Sequence, residues 1–171
     1  MDSPAAGTKV LDTISDHVLE MDHVAIAVAD LEAAVTWYSK GLGFKVLERR
    51  ITRGERTSMT SAVLKAGRAV VVLVQGIEPD SQVSRFVERF GPGVQHLAFA
   101  VDDLDAALTA VRSVGGDTET PIIQDEGIRQ AFLCRDPGSG VRIELIERRG
   151  GNFTDRSVER LFRAFERQDL Y

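Results

Sequence analysis

The sequence predicts an α+β fold made of two paired β-α-β-β-β modules that form a half-open barrel around a shared cavity. Three observations predict it. An internal repeat is the first: with an offset of seventy-three, nine of the fourteen positions from His23 to Thr36 recur, from His23/His96 through Asp30/Asp103 and Leu31/Leu104 to Thr36/Thr109. The second is a change of period inside each copy, from alternation at two to a helical stripe near 3.6, at Asp30 and again at Asp103. The third is that strand-like runs follow each predicted helix.

In the first module, 21–79, Val24, Ile26 and Val28 alternate with His23, Ala25 and Ala27. That is the pattern of a half-buried strand whose bulky face meets helices and whose small face leaves room for a ligand. Asp30 suits an N-cap, and Leu31, Ala34, Val35, Tyr38 and Leu42 make one helical face ended by Gly41 or Gly43. Trp37 and Tyr38 are expected in the core. Phe44 to Ile51, Thr57 to Lys65 and Ala69 to Gln75 read as three strands, with a turn at Ala66-Gly67.

A connecting helix over 81–90 carries Val83, Phe86, Val87 and Phe90 on one face. The second module, 94–148, repeats the plan. It has a strand from Gln95 to Val101, a helix capped by Asp103 and stopped by Gly115-Gly116, and short strands near 117–120, 128–134 and 141–147. Asp136-Pro137-Gly138 is a turn. Beyond the repeat, Val158, Leu161, Phe162 and Phe165 define a C-terminal helix over 154–168, with Arg156, Arg160, Arg163 and Arg167 on a solvated face. Residues 1–20 form an N-terminal extension, loose at its start, ahead of a single domain over 21–171.

At 171 residues and net charge −5, without a basic block, the chain offers no surface for nucleic acid or an anionic membrane. No apolar run approaches a membrane span and the polar start is not a signal peptide. Cys134, the sole cysteine, excludes an internal disulfide and is expected as a small buried residue on a strand. A cytoplasmic protein acting on a small molecule fits these features.

The chemistry centres on His23, His96 and Glu144. In Val141-Arg142-Ile143-Glu144-Leu145-Ile146, the residues Ile143 and Leu145 share one face, so Glu144 takes the other, on the side of the histidine strands. Two histidines and a carboxylate on one concave sheet make a facial triad for a divalent metal with positions left open. The rival reading is two inherited structural histidines without a role.

The modules, with Asp22-His23-Val24, Tyr38 to Phe44, Gly93 to Phe99 and Ile143 to Glu147, resemble the vicinal oxygen chelate superfamily from about residue 20 onward. The resemblance implies a metal held by His23, His96 and Glu144. Fe(II) is favoured, and Co(II), Mn(II), Ni(II) and Zn(II) also suit. Two branches compete. Ser81 to His96, Glu147 to Phe153 and Leu161 to Arg167 resemble the catalytic half of 4-hydroxyphenylpyruvate dioxygenase and hydroxymandelate synthase, although the Gly-Phe-Gly those enzymes carry before Asn-Phe is missing here. The opening segment and Ala131 to Leu145 resemble methylmalonyl-CoA epimerase, which uses a Gln as fourth ligand.

Superposing the repeats puts Val72 opposite Glu144 and leaves a bare triad. Anchoring on Glu78-Pro79 puts Gln75 at the ligand site instead. Gln95, with Gln75, is expected to hydrogen-bond substrate. The resemblance implies a dioxygenase acting on a 2-oxo acid or other chelating substrate, with an epimerase or a sequestering protein as alternatives, and a possible homodimer.

Overall fold

A computed structural model describes residues 12–170. One eight-stranded sheet runs β2-β3-β4-β1-β5-β8-β7-β6 and curls into a half-barrel. The first module is β1 (Val18–Ala27), α1 (Leu31–Thr36), β2 (Lys45–Arg53), β3 (Ser58–Ala66) and β4 (Ala69–Gly76). The second is β5 (Gly93–Val101), α3 (Leu104–Ser113), β6 (Ile123–Asp125), β7 (Ile128–Phe132) and β8 (Arg142–Arg148). Between them lies α2 (Gln82–Phe90), and α4 (Asp155–Arg167) follows.

The modules meet edge to edge through β1 and β5, which run antiparallel with His23 opposite Ala98 and Ala25 opposite His96. This exchange relates the halves by an approximate two-fold axis. Within each half the first and last strands are parallel: β1 with β4, and β5 with β8.

The same local chemistry builds both halves. Asp30 accepts from the Ala33 amide at 2.9 Å and Asp103 from the Ala106 amide at 3.0 Å, so each helix has its expected N-cap. Each cap of this kind contributes about 1 kcal/mol. α1 covers the convex face over Ala62, Leu64 and Leu73, and α3 covers it over Ala131 and Leu145. α2 and α4 lie on the concave side, where Val83, Phe86 and Phe162 pack against Ala27 and Val74.

Several sequence expectations are corrected. A π-helical turn at Trp37–Gly41 breaks the 3.6 period, so Leu42 swings outward and is exposed. Trp37 lies off the stripe set by Leu31 and Val35 and is 63% exposed, not core. Phe90 is exposed at the end of α2. Cys134 is also exposed, because β7 ends at Phe132. Residues 117–120 hold only an isolated bridge from Thr118 to Leu133, and the strand forms at 123–125 instead. β1 begins at Val18, inside the segment expected as an extension, while residues 1–11 of that segment lie outside the described residues.

α4 is held at both ends. Thr154 caps it from the Ser157 amide and also donates to Asp125 at 2.6 Å. At the far end the Glu166 carboxylate accepts from the amides of Glu55 (2.6 Å), Arg56 (3.4 Å) and Thr57 (2.9 Å) and from the Thr57 hydroxyl (2.6 Å). Gly54 permits this approach, since a Cβ there would collide with the carboxylate. The α4 arginines are exposed as expected, yet Arg160 and Arg167 also tether the helix, to the Gln124 carbonyl and to Glu55.

Candidate metal centre

The sheet registers place His23, His96 and Glu144 together. Ala98 on β5 lies between His23 on β1 and Glu144 on β8, and His96 is the diagonal neighbour of His23. All four point to the concave face because strand side chains alternate. His23 Nε2 is 3.2 Å from His96 Nε2 and 3.6 Å from Glu144 Oε2, and His96 Nε2 is 3.3 Å from Glu144 Oε2. Donor atoms on one face of an octahedron around a common ion at about 2.1 Å stand roughly 3 Å apart. The three side chains therefore fit a divalent ion.

The electrostatics agree with that fit. Glu144 is buried, its Oε1 has no hydrogen-bond partner, and burial pushes its carboxyl up to about 7, with the His23 charge opposing the shift. Burial, helped by the charge of Arg142, pushes His96 down to about 3, which leaves its imidazole neutral. A desolvated carboxylate beside imidazole lone pairs is a costly arrangement that a cation relieves.

Each histidine is oriented by the residue before it. His23 Nδ1 contacts Asp22 Oδ1 at 2.8 Å, and His96 Nδ1 contacts Gln95 Oε1. Both partners accept from Nδ1–H, which turns each Nε2 lone pair toward the cluster. Asp22 and Gln95 are repeat equivalents, so the two supports are one device with different charge. Arg148 grips Asp22 through Nε at 2.6 Å and a terminal nitrogen at 3.0 Å. Burial opposes ionisation of Asp22, but hydrogen bonds from His23 and Arg148 outweigh it and hold the carboxyl below its ordinary range.

The structure brings His23, His96 and Glu144 together and places the two glutamines elsewhere. Gln95 touches His96 rather than lining the cavity. Gln75 accepts from the Leu31 amide at 2.7 Å, at the start of α1. Its counterpart Glu147 accepts from the Leu104 amide at 3.2 Å, at the start of α3. The position equivalent to Glu144 is Val72: it pairs with Ala25 as Glu144 pairs with Ala98.

A cavity of about 520 Å³ opens from the cluster across the concave face of the first module. Val70, Val72 and Val74 form its floor, and Val158 and Leu161 of α4 stand over it. Phe153 meets His23 edge-on with centroids 5.8 Å apart, and Phe132 meets His96 at 5.0 Å. Arg148 lies over the Phe153 ring at 4.9 Å and ties this wall to Asp22. No local sequence pattern marks Arg148 or Phe153 for these contacts. Their partners lie across the sheet, and only the adjacency of Asp22 to His23 hinted at a support.

Comparison with known proteins gives a consistent picture. The model of the Glyoxalase/Bleomycin resistance protein/Dioxygenase superfamily matches residues 20–145. A methylmalonyl-CoA epimerase from Mycobacterium tuberculosis is 32% identical, with TM-score 0.65, over 84% of this chain and 93% of its own. A variant of 4-hydroxymandelate synthase from Streptomyces coelicolor shares the fold at TM-score 0.77 and 22% identity, over 90% of this chain and 55% of its own. The 4-hydroxyphenylpyruvate dioxygenase of Caenorhabditis elegans is 23% identical over 80% of this chain, which spans only 42% of that enzyme.

Proposed function

The chain belongs to the glyoxalase/bleomycin resistance/dioxygenase superfamily, a family of divalent-metal-dependent enzymes, and on that premise we propose that it is a non-heme Fe(II) dioxygenase of small 2-oxo acids or similar chelating substrates. The observation that carries the reading is Val72. At the wall position equivalent to Glu144 it offers no donor atom, so His23, His96 and Glu144 are left as a three-ligand set. Fe(II) held there would supply redox chemistry and open positions for a bidentate substrate and O2.

The chain's own residues then have definite tasks. Asp22 and Gln95 hold the imidazoles in one tautomer with Nε2 inward. The valine floor binds an apolar substrate body. Phe153, Val158 and Leu161 cover the cavity and limit water around the reacting groups. The strap that carries Phe153 is fixed by Arg148, which donates to the Gly151 carbonyl at 3.3 Å, and by Arg50, which donates to the Phe153 carbonyl at 3.3 Å.

The identity with the M. tuberculosis epimerase favours a second reading, a metal-dependent epimerase in which the ion stabilises an enolate. One experiment separates the two. Protein loaded anaerobically with Fe(II) is mixed with 2-oxo acids, acyl-CoA thioesters and phenols, and O2 uptake and deuterium exchange are followed together. The proposal expects O2 uptake that fails with Co(II). Exchange into the substrate α-carbon without O2 uptake would install the epimerase reading. No helix among the described residues is long and apolar enough to cross a membrane. The proposal includes a cytoplasmic homodimer, and a monomeric mass by light scattering would reject the dimer.

A further inference from the structure

The cavity has two chemically different ends, and the one far from the metal cluster has no task in the function proposed above. Three cations line the cavity: Arg50, Lys65 and Arg148. Arg50 is paired with Glu48 and with Asp155, and Arg148 with Asp22. Lys65 has no ion-pair partner among the described residues. It also faces Lys45 directly across the β2–β3 ladder. Two like charges opposite each other in an antiparallel pair destabilise the sheet unless an anion lies between them. Glu48, the carboxylate that β2 contributes to the cavity lining, is taken by Arg50.

The register fixes where this doublet stands. Lys65 pairs with Val70, and the β1–β4 register, with Val24 opposite Val71, sets His23 beside Val70. Lys65, Val70 and His23 thus form one row across three strands. Two strand spacings separate its ends, roughly 10 Å. Between them in that row stands Val70 of the valine floor.

We propose that the substrate carries a second anionic group, a carboxylate or phosphoryl, on an apolar body, and that Lys65 with Lys45 binds it while the chelating end occupies the His23–His96–Glu144 corner. The inference rests on the metal reading of that corner and names the substrate class for it. With side chains standing perpendicular to the sheet, the anion site lies roughly 10 Å from the metal corner at Lys65 and roughly 14 Å at Lys45; less about 2 Å of metal–oxygen bond and about 3 Å of lysine contact, this leaves about 5 to 9 Å, which a body of about five or six carbons spans.

The test uses the full-length protein loaded with Zn(II), which permits chelation without O2 chemistry, and reads binding by titration calorimetry after metal content has been measured. The probes are 2-oxosuberate and 2-oxooctanoate, equal in length and different only in a terminal carboxylate or methyl; 2-oxo-7-phosphonoheptanoate, with phosphorus in place of the terminal carboxyl carbon, distinguishes a phosphoryl preference. The diacid is expected to bind about tenfold tighter than the monoacid. Lys65→Met is expected to abolish that preference without weakening the monoacid, and Lys65→Arg to retain most of it. Unchanged melting temperatures verify that the variants fold.

Zinc uptake with equal affinities, or with a preference that survives Lys65→Met, would overturn the inference and leave the metal centre standing. Absence of zinc uptake would overturn both. A Lys65-dependent preference without any O2 consumption under Fe(II) would uphold the inference and reject only the dioxygenase reading.

Discussion

Val72 and Glu144 occupy equivalent places in the two halves of the molecule, Val72 beside Ala25 in the β1–β4 pair and Glu144 beside Ala98 in the β5–β8 pair. One half thus contributes a carboxylate where the other contributes an isopropyl group. The metal reading predicts that Val72→Gln adds a donor and converts a three-ligand corner into a four-ligand one. Metal content should be retained or rise. O2 uptake should fall by about tenfold or more, because an open position is lost. Unchanged O2 kinetics would place the substrate away from this wall.

Removing a ligand should remove the metal. His23→Ala, His96→Ala and Glu144→Ala are each expected to lower Fe(II) or Co(II) content well below about one ion per chain, measured by elemental analysis after loading. Full metal content in all three variants would reject the triad and favour a sequestering protein.

Glu144 predicts a pH dependence of the metal-free protein. Its carboxyl titrates near 7 in the folded state against 4.5 as the ordinary value. The unfolded chain therefore releases this proton first, and stability is lost as pH rises from about 4.5 through 7. Glu144→Gln removes that loss. In the presence of chelator the variant should gain on wild type across this window, by roughly 3 kcal/mol at pH 8. Added metal should reverse the order, because it stabilises only the wild type. Parallel pH profiles would mean that Glu144 is already compensated in the metal-free state.

Glu166 behaves in the opposite sense. Burial opposes its ionisation, but hydrogen bonds from Thr57, Glu55 and Arg56 outweigh it and hold the carboxyl below 4.5. Its contribution is present above that value and fades as pH falls through the folded pKa. Glu166→Ala leaves three amides of the 54–57 loop unpaired and should cost about 3 kcal/mol in denaturant unfolding. Gly54→Ala should act similarly through collision with the carboxylate. Either change should also loosen α4 over the cavity, seen as faster amide exchange in 155–167.

Asp22→Asn tests the support of His23. The amide still accepts from Nδ1–H but loses the ion pair with Arg148. Metal affinity is expected to fall by about tenfold or more, in line with the loss of an outer carboxylate on a ligand histidine. Gln95→Glu, which gives the second half the charge of the first, should raise affinity. No change in either variant would reduce both residues to packing roles.

The sequence by itself determined the duplicated modules, the caps at Asp30 and Asp103, and the identity of His23, His96 and Glu144 as the residues that share a face. These are local properties. Repeat offset, period-two alternation and side-chain oxygen before a helix are all written within a few residues of one another. Where a local rule was broken locally, at the π-helical turn after Thr36, the expectation for Leu42 failed with it.

Only the tertiary structure decided between Val72 and Gln75. Val70 to Val74 are apolar at every position, so periodicity cannot say which face is which, and a one-residue slip in register exchanges the faces. The pairing of Ala25 with Val72 settles the register, and the bond from Leu31 to Gln75 shows what that glutamine does instead. The placement of α4 over the concave sheet, the Asp22–Arg148–Phe153 contact and the Lys45–Lys65 pair were likewise beyond reach. Each joins residues distant in sequence, and such contacts are fixed by strand order and packing, which local patterns do not encode.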